Sequence, residues 1–177
     1  MERIIKNSTK SYLRRMDILI CVGASEYGFE RLLKIVDELC DEKVLDGKHI
    51  VAQLGSSSYI PHNFNYFKLI GREEYENYIE QADVIISHAG TGSVIPPLKK
   101  GKKVIVFPRR ECYGEHLDDH QLELADVFTQ NGYTLCATNK AELQACLADI
   151  NKFQPKTFKS NSHNINQLII DYIENSL

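Results

Sequence analysis

Two short runs hold most of the residues able to do chemistry. The first is His88-Ala89-Gly90-Thr91-Gly92-Ser93, which follows the apolar stretch Val84 to Ser87. That stretch reads as a buried strand, and the small-residue turn after it opens a helix. Such a corner aims several backbone N–H groups and the positive end of a helix dipole at one spot, which favours an anion. Thr91 and Ser93 add hydroxyl donors. The run lacks both the spacing and the lysine of a P-loop, and its two glycines lack the third of a dinucleotide fingerprint. Small residues still let a diphosphate approach the backbone. Pro96 and Pro97 would break a helix interior but are tolerated in a first turn. They predict a helix capped at Gly92 or Ser93, with the turn non-helical through Thr91.

The second run is Gly114-Glu115-His116-Leu117-Asp118-Asp119-His120-Gln121. His116 and His120 with Asp118 and Asp119 can be read as a metal cluster, because histidines four apart share a helix face. The stronger reading is a loop feeding a helix, with Asp118 or Asp119 as its cap and acidic residues favoured near the dipole. That splits the two histidines between loop and helix, and no metal is expected. His120 and Gln121 then read as neutral hydrogen-bonding groups facing polyhydroxyl groups. Arg109 and Arg110 follow an apolar strand and can supply positive charge. No nucleophile elbow with a Ser-His-Asp set is visible, and His49, His62 and His163 read as surface residues.

Alternating strands and helices must position these runs. Strands are expected at 18–22, 49–54, 66–70, 84–87, 104–107 and 133–137. An apolar stripe at helical spacing from Tyr27 to Cys40 marks one helix. Further helices are expected at 73–81, after the central turn, at 119–130, and from Lys140 (capped by Thr138 or Asn139) to about Ile150. This alternation implies an α/β protein with a Rossmann-like, doubly wound parallel sheet covered on both faces. Ligands then bind outside the carboxyl ends of the strands. The turns after Val22, Ser87 and Phe107 lie on that edge, so Gly23, Ala24 and Ser25 join the candidate site. The Lys99–Lys103 cluster lies on the opposite edge and reads as a solvated turn.

Residues 1–15 carry five basic residues against one Glu2 and read as a basic N-terminal extension. Residues 16–160 form the expected domain, and residues 161–177 a C-terminal amphipathic helix packing on that domain or on a partner. A length of 177 residues suits one core. The net charge of -3 gives no reason to expect nucleic acid. Five cysteines, without a C-x-x-C pair, suggest a reducing cytosol rather than a disulfide framework. No apolar run approaches the roughly 20 residues that span a bilayer.

Taken together, the HAGTGS turn, the G-K-K-V-I-V-F-P strand and the Y-G-E-H-L-D-D-H-Q-L-E-L-A run resemble the C-terminal, donor-binding half of family 28 glycosyltransferases. The opening V-G-A-S-E-Y-G-F-E-R-L-L-K-I-V-D-E-L is similar to the first strand–loop–helix of that half. The pattern is closest to single-domain catalytic subunits, among them bacterial capsule and exopolysaccharide transferases and the eukaryotic dolichol-linked UDP-GlcNAc transferase subunit.

The resemblance implies one half of a GT-B enzyme, binding a UDP-sugar as donor substrate with no other cofactor. Gly23 to Ser25 and Gly90 to Ser93 would surround the diphosphate, and His120 and Gln121 would reach the sugar. A membrane-anchored partner subunit would present a lipid-linked saccharide acceptor, holding this chain at the cytoplasmic face of the membrane. Self-association in isolation is left open. Larger relatives place a glutamate near Pro96 for the ribose; here Glu111 or Glu115 would take that role. Two other readings stand beside this one: a non-catalytic nucleotide-sugar-binding subunit, and a metal-dependent hydrolase using His116, Asp118 and His120.

Overall fold

The computed structural model describes residues 16–159. The basic extension of residues 1–15 and the C-terminal segment of residues 161–177 lie outside the described residues. Six strands form one sheet in which every pairing is parallel. They are β1 (Ile18–Cys21), β2 (Ile50–Gln53), β3 (Asn65–Phe67), β4 (Val84–Ser87), β5 (Lys103–Val106) and β6 (Leu135–Cys136). Their spatial order is β3-β2-β1-β4-β5-β6, so the chain reverses its direction of travel across the sheet between β1 and β4. The helices are α1 (Glu30–Asp41), α2 (Arg72–Gln81), α3 (Thr91–Lys99), α4 (His120–Gln130) and α5 (Lys140–Asp149).

Strand periodicity sorts the core into two layers. Ile18, Ile20 and Val22 face α1 and α5, meeting Leu32, Leu33, Val36, Leu143 and Leu147. Leu19 and Cys21 face α2, α3 and α4, meeting Ile79, Val94, Leu98, Ala125 and Phe128. β1 and β4 are buried along their whole length, which is why both read as unbroken apolar runs rather than alternating ones. Each fully buried Leu, Ile or Val contributes roughly 1.5–3 kcal/mol, so these two layers dominate the stability of the fold.

The start of α3 differs from the expectation drawn from the prolines. The helix begins at Thr91, with Gly90 before it, rather than at a cap on Gly92 or Ser93. The cause lies in Ala89, whose φ of 71° puts it in the left-handed region. That sharp turn brings the Gly90 carbonyl under the N–H groups of Ser93 (3.0 Å) and Val94 (3.1 Å), closing the first helical turn early. Pro96 and Pro97 therefore stand inside the helix, where they delete the N–H groups that would bond the carbonyls of Gly92 and Ser93.

Smaller shifts have equally local causes. α1 starts at Glu30 rather than near Tyr27, because the Phe29 N–H donates to the Ser57 hydroxyl instead of continuing a helix upstream. β3 ends at Phe67, and Leu69 beyond it is exposed. The lysine cluster sits on the opposite edge, as expected, with Lys99 and Lys100 exposed, and three of its lysines also bond carbonyls or a carboxylate. Lys100 pairs with Glu80, Lys102 Nζ donates to Glu80 O (2.6 Å) and Ala82 O (3.0 Å), and Lys103 Nζ donates to Ile150 O (2.8 Å).

Candidate functional site

At the carboxyl edge, Gln53, Cys21, Ser87 and Val106 lie in one row across four strands. Open α/β sheets bind ligands outside the point where strand order reverses, here between β1 and β4. Two strand–helix corners flank that point, and they differ.

At the β4–α3 corner, Thr91 and Gly92 are the first helical residues, so their N–H groups lack intrahelical acceptors. No other acceptor serves them among the described residues. The first turn of α3 contains no acidic side chain. A Cβ added to Gly92 would meet nothing within 4 Å, and Gly92 lines an open cleft. Ala89 is completely buried and held in its strained conformation by the packing around it.

At the β1–α1 corner the helix start is already occupied. The Phe29 N–H donates to Ser57 Oγ at 2.8 Å, and Glu30, in the first turn, accepts from the Ser58 N–H at 2.8 Å. The preceding turn is braced from below. The Ser56 hydroxyl donates to Ser25 O at 2.6 Å, and a Cβ on Gly55 would lie 2.3 Å from Gly23 O.

His88 joins the two corners. Its Nδ1 lies 3.1 Å from Cys21 O, and since a carbonyl only accepts, the proton belongs on Nδ1 and Nε2 is an acceptor. A Cβ on Gly23 would lie 2.7 Å from Cε1 of this ring, and one on Gly90 would lie 2.3 Å from Nε2. Both glycines are thus required by the imidazole between them. Burial pushes the ring down to about 4, with the Arg109 and His116 charges acting in the same direction, so His88 is neutral near pH 7.

The β5–α4 loop supplies the third wall. Arg109 is almost wholly buried; its guanidinium donates to Val22 O at 2.6 Å and to the Ser25 hydroxyl. Its Nε has no hydrogen-bond partner among the described residues. Gln121 is buried, and its Oε1 accepts the Arg109 N–H at 3.1 Å, leaving only its amide N–H groups for a ligand. His116 is half-buried, with Nδ1 3.0 Å from Asp118 Oδ1, while His120 is largely exposed at the first position of α4. Asp119 precedes that helix, and its carboxylate accepts the Glu111 N–H at 3.0 Å. The split of the histidines between loop and helix matches the sequence reading. Among the described residues no three His, Cys, Asp or Glu side chains converge as a metal site.

One expectation is corrected. Glu115 is buried and bidentate to Arg31, so it is not free for a ribose. Ser93 borders the cleft, with its hydroxyl 2.7 Å from Ser87 Oγ, 3.0 Å from Gly90 O and 3.2 Å from His88 Nδ1.

A cleft of about 480 Å³ opens in front of the β4–α3 corner. Gly23, His88 and Gly92 line one end, and Leu69, Ile70 and Tyr75 line an apolar wall. A second hollow of about 390 Å³ shares Arg72, Tyr75 and Gly92 and runs along α3 past Pro96. Glu76, bonded to Arg72 at 2.8 Å, is the carboxylate lining it. Leu69, Ile70 and Glu76 escaped the sequence reading. The first two fall at the end of the strand expected at 66–70, and Glu76 within the helix expected at 73–81.

A doubly wound half-domain with free helix-terminal donors at one end of an apolar-walled crevice has the architecture of a nucleotide-binding α/β protein. Residues 17–174 match the glycosyltransferase family 28 C-terminal domain, and the chain belongs to that family.

The chain is 36% identical over 67 residues to the UDP-N-acetylglucosamine transferase subunit ALG13 of Cryptococcus neoformans, covering 37% of this chain and 32% of that protein. It is 27% identical over 126 residues to the mouse protein of the same name, covering 67% of this chain and 10% of the relative. The chain thus spans a third or less of the length of these relatives. Among solved structures, the solution structure of ALG13 superposes with a TM-score of 0.55 at 20% identity, covering 87% of this chain and 94% of that one. The glycotransferase of kitacinnamycin superposes with a TM-score of 0.53 at 19% identity, covering 75% and 34%. The fold is one Rossmann-like half of the GT-B architecture.

Proposed function

We propose that this chain is the donor-binding subunit of an inverting, UDP-sugar-dependent glycosyltransferase. The observation that carries the reading is the pair of unpaired N–H groups on Thr91 and Gly92, at a helix start where Gly92 lines a cleft with Leu69, Ile70 and Tyr75. A nucleoside diphosphate suits that arrangement: diphosphate oxygens on the helix N-terminus, base against Leu69, Ile70 and Tyr75, ribose toward Glu76. The names of the relatives, each a UDP-N-acetylglucosamine transferase subunit, support both a UDP-sugar donor and work within a complex.

The sugar, a hexose such as GlcNAc, galactose or glucuronic acid, lies toward the amide of Gln121 and the ring of His120. An acceptor hydroxyl oxygen attacks the anomeric carbon. The bond from that carbon to the diphosphate oxygen breaks, and UDP leaves with the electron pair, its growing charge met by the α3 dipole and the Thr91 and Gly92 donors. The hydroxyl proton passes to a base that the proposal assigns to the partner subunit. That partner is membrane-anchored and presents a lipid-diphosphate-linked saccharide. The Tyr113 to Gln121 run, similar to capsule and exopolysaccharide subunits, favours that setting. No helix among the described residues is long and apolar enough to cross a membrane.

Calorimetric titration with UDP tests the reading. Gly92→Asp places a carboxylate at the helix start without a clash, so it is expected to abolish UDP binding without lowering the unfolding midpoint. Failure of the wild type to bind UDP even with its partner would sink the proposal, as would unimpaired binding by Gly92→Asp.

A further inference from the structure

The loop of residues 108–119 has little apolar anchorage of its own. Tyr113 and Leu117 in it are 63% and 73% exposed. Besides the contacts of Arg109 with Val22, Ser25 and Gln121, one side chain from α1 ties it down. Arg31 donates from Nε and Nη2 to the two carboxylate oxygens of Glu115, both at 2.8 Å. Nη2 also donates to Pro108 O at 2.9 Å, and Nη1 to Thr138 O at 2.8 Å. The guanidinium lies 4.7 Å from the Phe107 ring centre and 4.9 Å from that of Tyr113. Glu115 in turn accepts the Arg110 N–H at 2.9 Å. One cation therefore ties the start of the loop, its middle and the β6–α5 turn to a helix packed on the sheet.

Bidentate Arg–carboxylate pairs fix geometry as well as adding energy. The Arg31 and Glu115 side chains are 18% and 6% exposed, so the pair is shielded, and breaking one partner leaves the other's charge poorly solvated. The residues this loop delivers are Arg109, His116, His120 and Gln121, the wall opposite the β4–α3 corner. Leu69, Tyr75, Thr91 and Gly92 belong to elements that Arg31 does not touch.

We propose that Arg31, acting through Glu115, is a positioning residue that holds the β5–α4 loop against the crevice, so that the affinity added by the sugar depends on it and the affinity for the nucleotide does not. This inference rests on the UDP-sugar reading above.

The test uses the full chain and its Arg31→Met, Arg31→Lys and Glu115→Gln variants. Each is titrated calorimetrically with UDP, UDP-GlcNAc, UDP-galactose and UDP-glucuronic acid, with amide hydrogen exchange measured over residues 110–118. In Arg31→Met the preferred UDP-sugar is expected to lose about tenfold of its advantage over UDP, while UDP affinity stays within about twofold. Loop exchange should accelerate, Arg31→Lys should restore part of the advantage, and Glu115→Gln should follow Arg31→Met in direction. If Arg31→Met does not fold, Glu115→Gln decides. Equal weakening of UDP and UDP-sugar, an unchanged ratio, unchanged loop exchange, or a wild type that binds UDP with no gain from any sugar would each overturn the inference. A wild type that binds no UDP would instead remove the functional reading, and this inference with it.

Discussion

The hydroxyls of Ser87 and Ser93 lie 2.7 Å apart, both in buried residues, one at the end of β4 and the other in the first turn of α3. The last residue of the HAGTGS run thus staples the helix to the strand that feeds it. Ser93→Ala is expected to cost about 1–2 kcal/mol of stability, since it strands the Ser87 hydroxyl, while UDP affinity stays within about twofold. Chemical denaturation and calorimetry on the same variant check this. A large loss of affinity with unchanged stability would show that Ser93 faces the ligand after all.

The neutral state of His88 gives the protein a pH signature. Its folded value of about 4 lies below the ordinary value of 6.5, so the folded state favours the unprotonated ring. The stability it contributes is complete above about pH 6.5 and declines as pH falls toward 4, by up to about 1.4 kcal/mol per pH unit. Below the folded value the loss levels off. Denaturant unfolding at about pH 7 and about pH 5 should show a drop that His88→Gln reduces. An identical drop in that variant would assign the effect to other groups.

Asp37 is a buried carboxylate on α1 that organises the chain after β2. It accepts from the Tyr59 hydroxyl at 2.7 Å and from the N–H groups of His62 and Asn63, each at 3.0 Å. Burial works to raise its carboxyl, but the bonds from Tyr59, His62 and Asn63 outweigh it and hold it below the usual range. A carboxyl lowered in the folded state stabilises above its unfolded value and loses that contribution as pH falls through the folded one. Asp37→Ala strands three donors and is expected to cost about 2–4 kcal/mol at neutral pH, read from a denaturation midpoint. A cost below about 0.5 kcal/mol would mean that water replaces the carboxylate freely.

Leu69 is 60% exposed yet lines the cleft beside Ile70 and Tyr75. Leu69→Asp is expected to weaken UDP about tenfold and to leave stability within about 0.5 kcal/mol, because little area is buried in the unliganded protein. Calorimetry with UDP and with inorganic diphosphate separates the effects. The diphosphate alone should bind the variant nearly as well as the wild type, and a parallel loss of both would place the base elsewhere.

Much of the frame is readable in the chain itself, because its signals are local. β4 occupies Val84–Ser87 as expected, four buried residues between polar neighbours. Asn139 caps α5 through the Glu142 N–H, as its position before Lys140 suggests. The β4–α3 corner is legible as a tight strand–helix turn from its small residues, but the helix start is not. It depends on the left-handed φ of Ala89, which an alanine gives no reason to expect.

The role of Glu115 is hidden for a different reason. Its partner, Arg31, lies 84 residues away on a helix where a charge reads as a solvated face. The brace that Ser56, Ser57 and Ser58 place under the first turn is long-range in the same way, joining residues about thirty apart in the chain. Local pattern carries element type; it cannot carry pairings fixed only when the sheet is assembled.

The inequality of the two corners has a consequence for orientation. With the amide of Phe29 spent on Ser57 and the carboxylate of Glu30 standing in the first turn of α1, that corner suits an anion less well than the β4–α3 corner does. The crevice is polarised, like a socket with one live terminal. A donor rotated end for end would set its diphosphate beside Glu30 and its base among polar groups, so productive and reversed poses differ in energy before any sugar is recognised. On the donor-binding reading proposed above, the scaffold itself therefore favours one orientation of the donor, whichever sugar it carries.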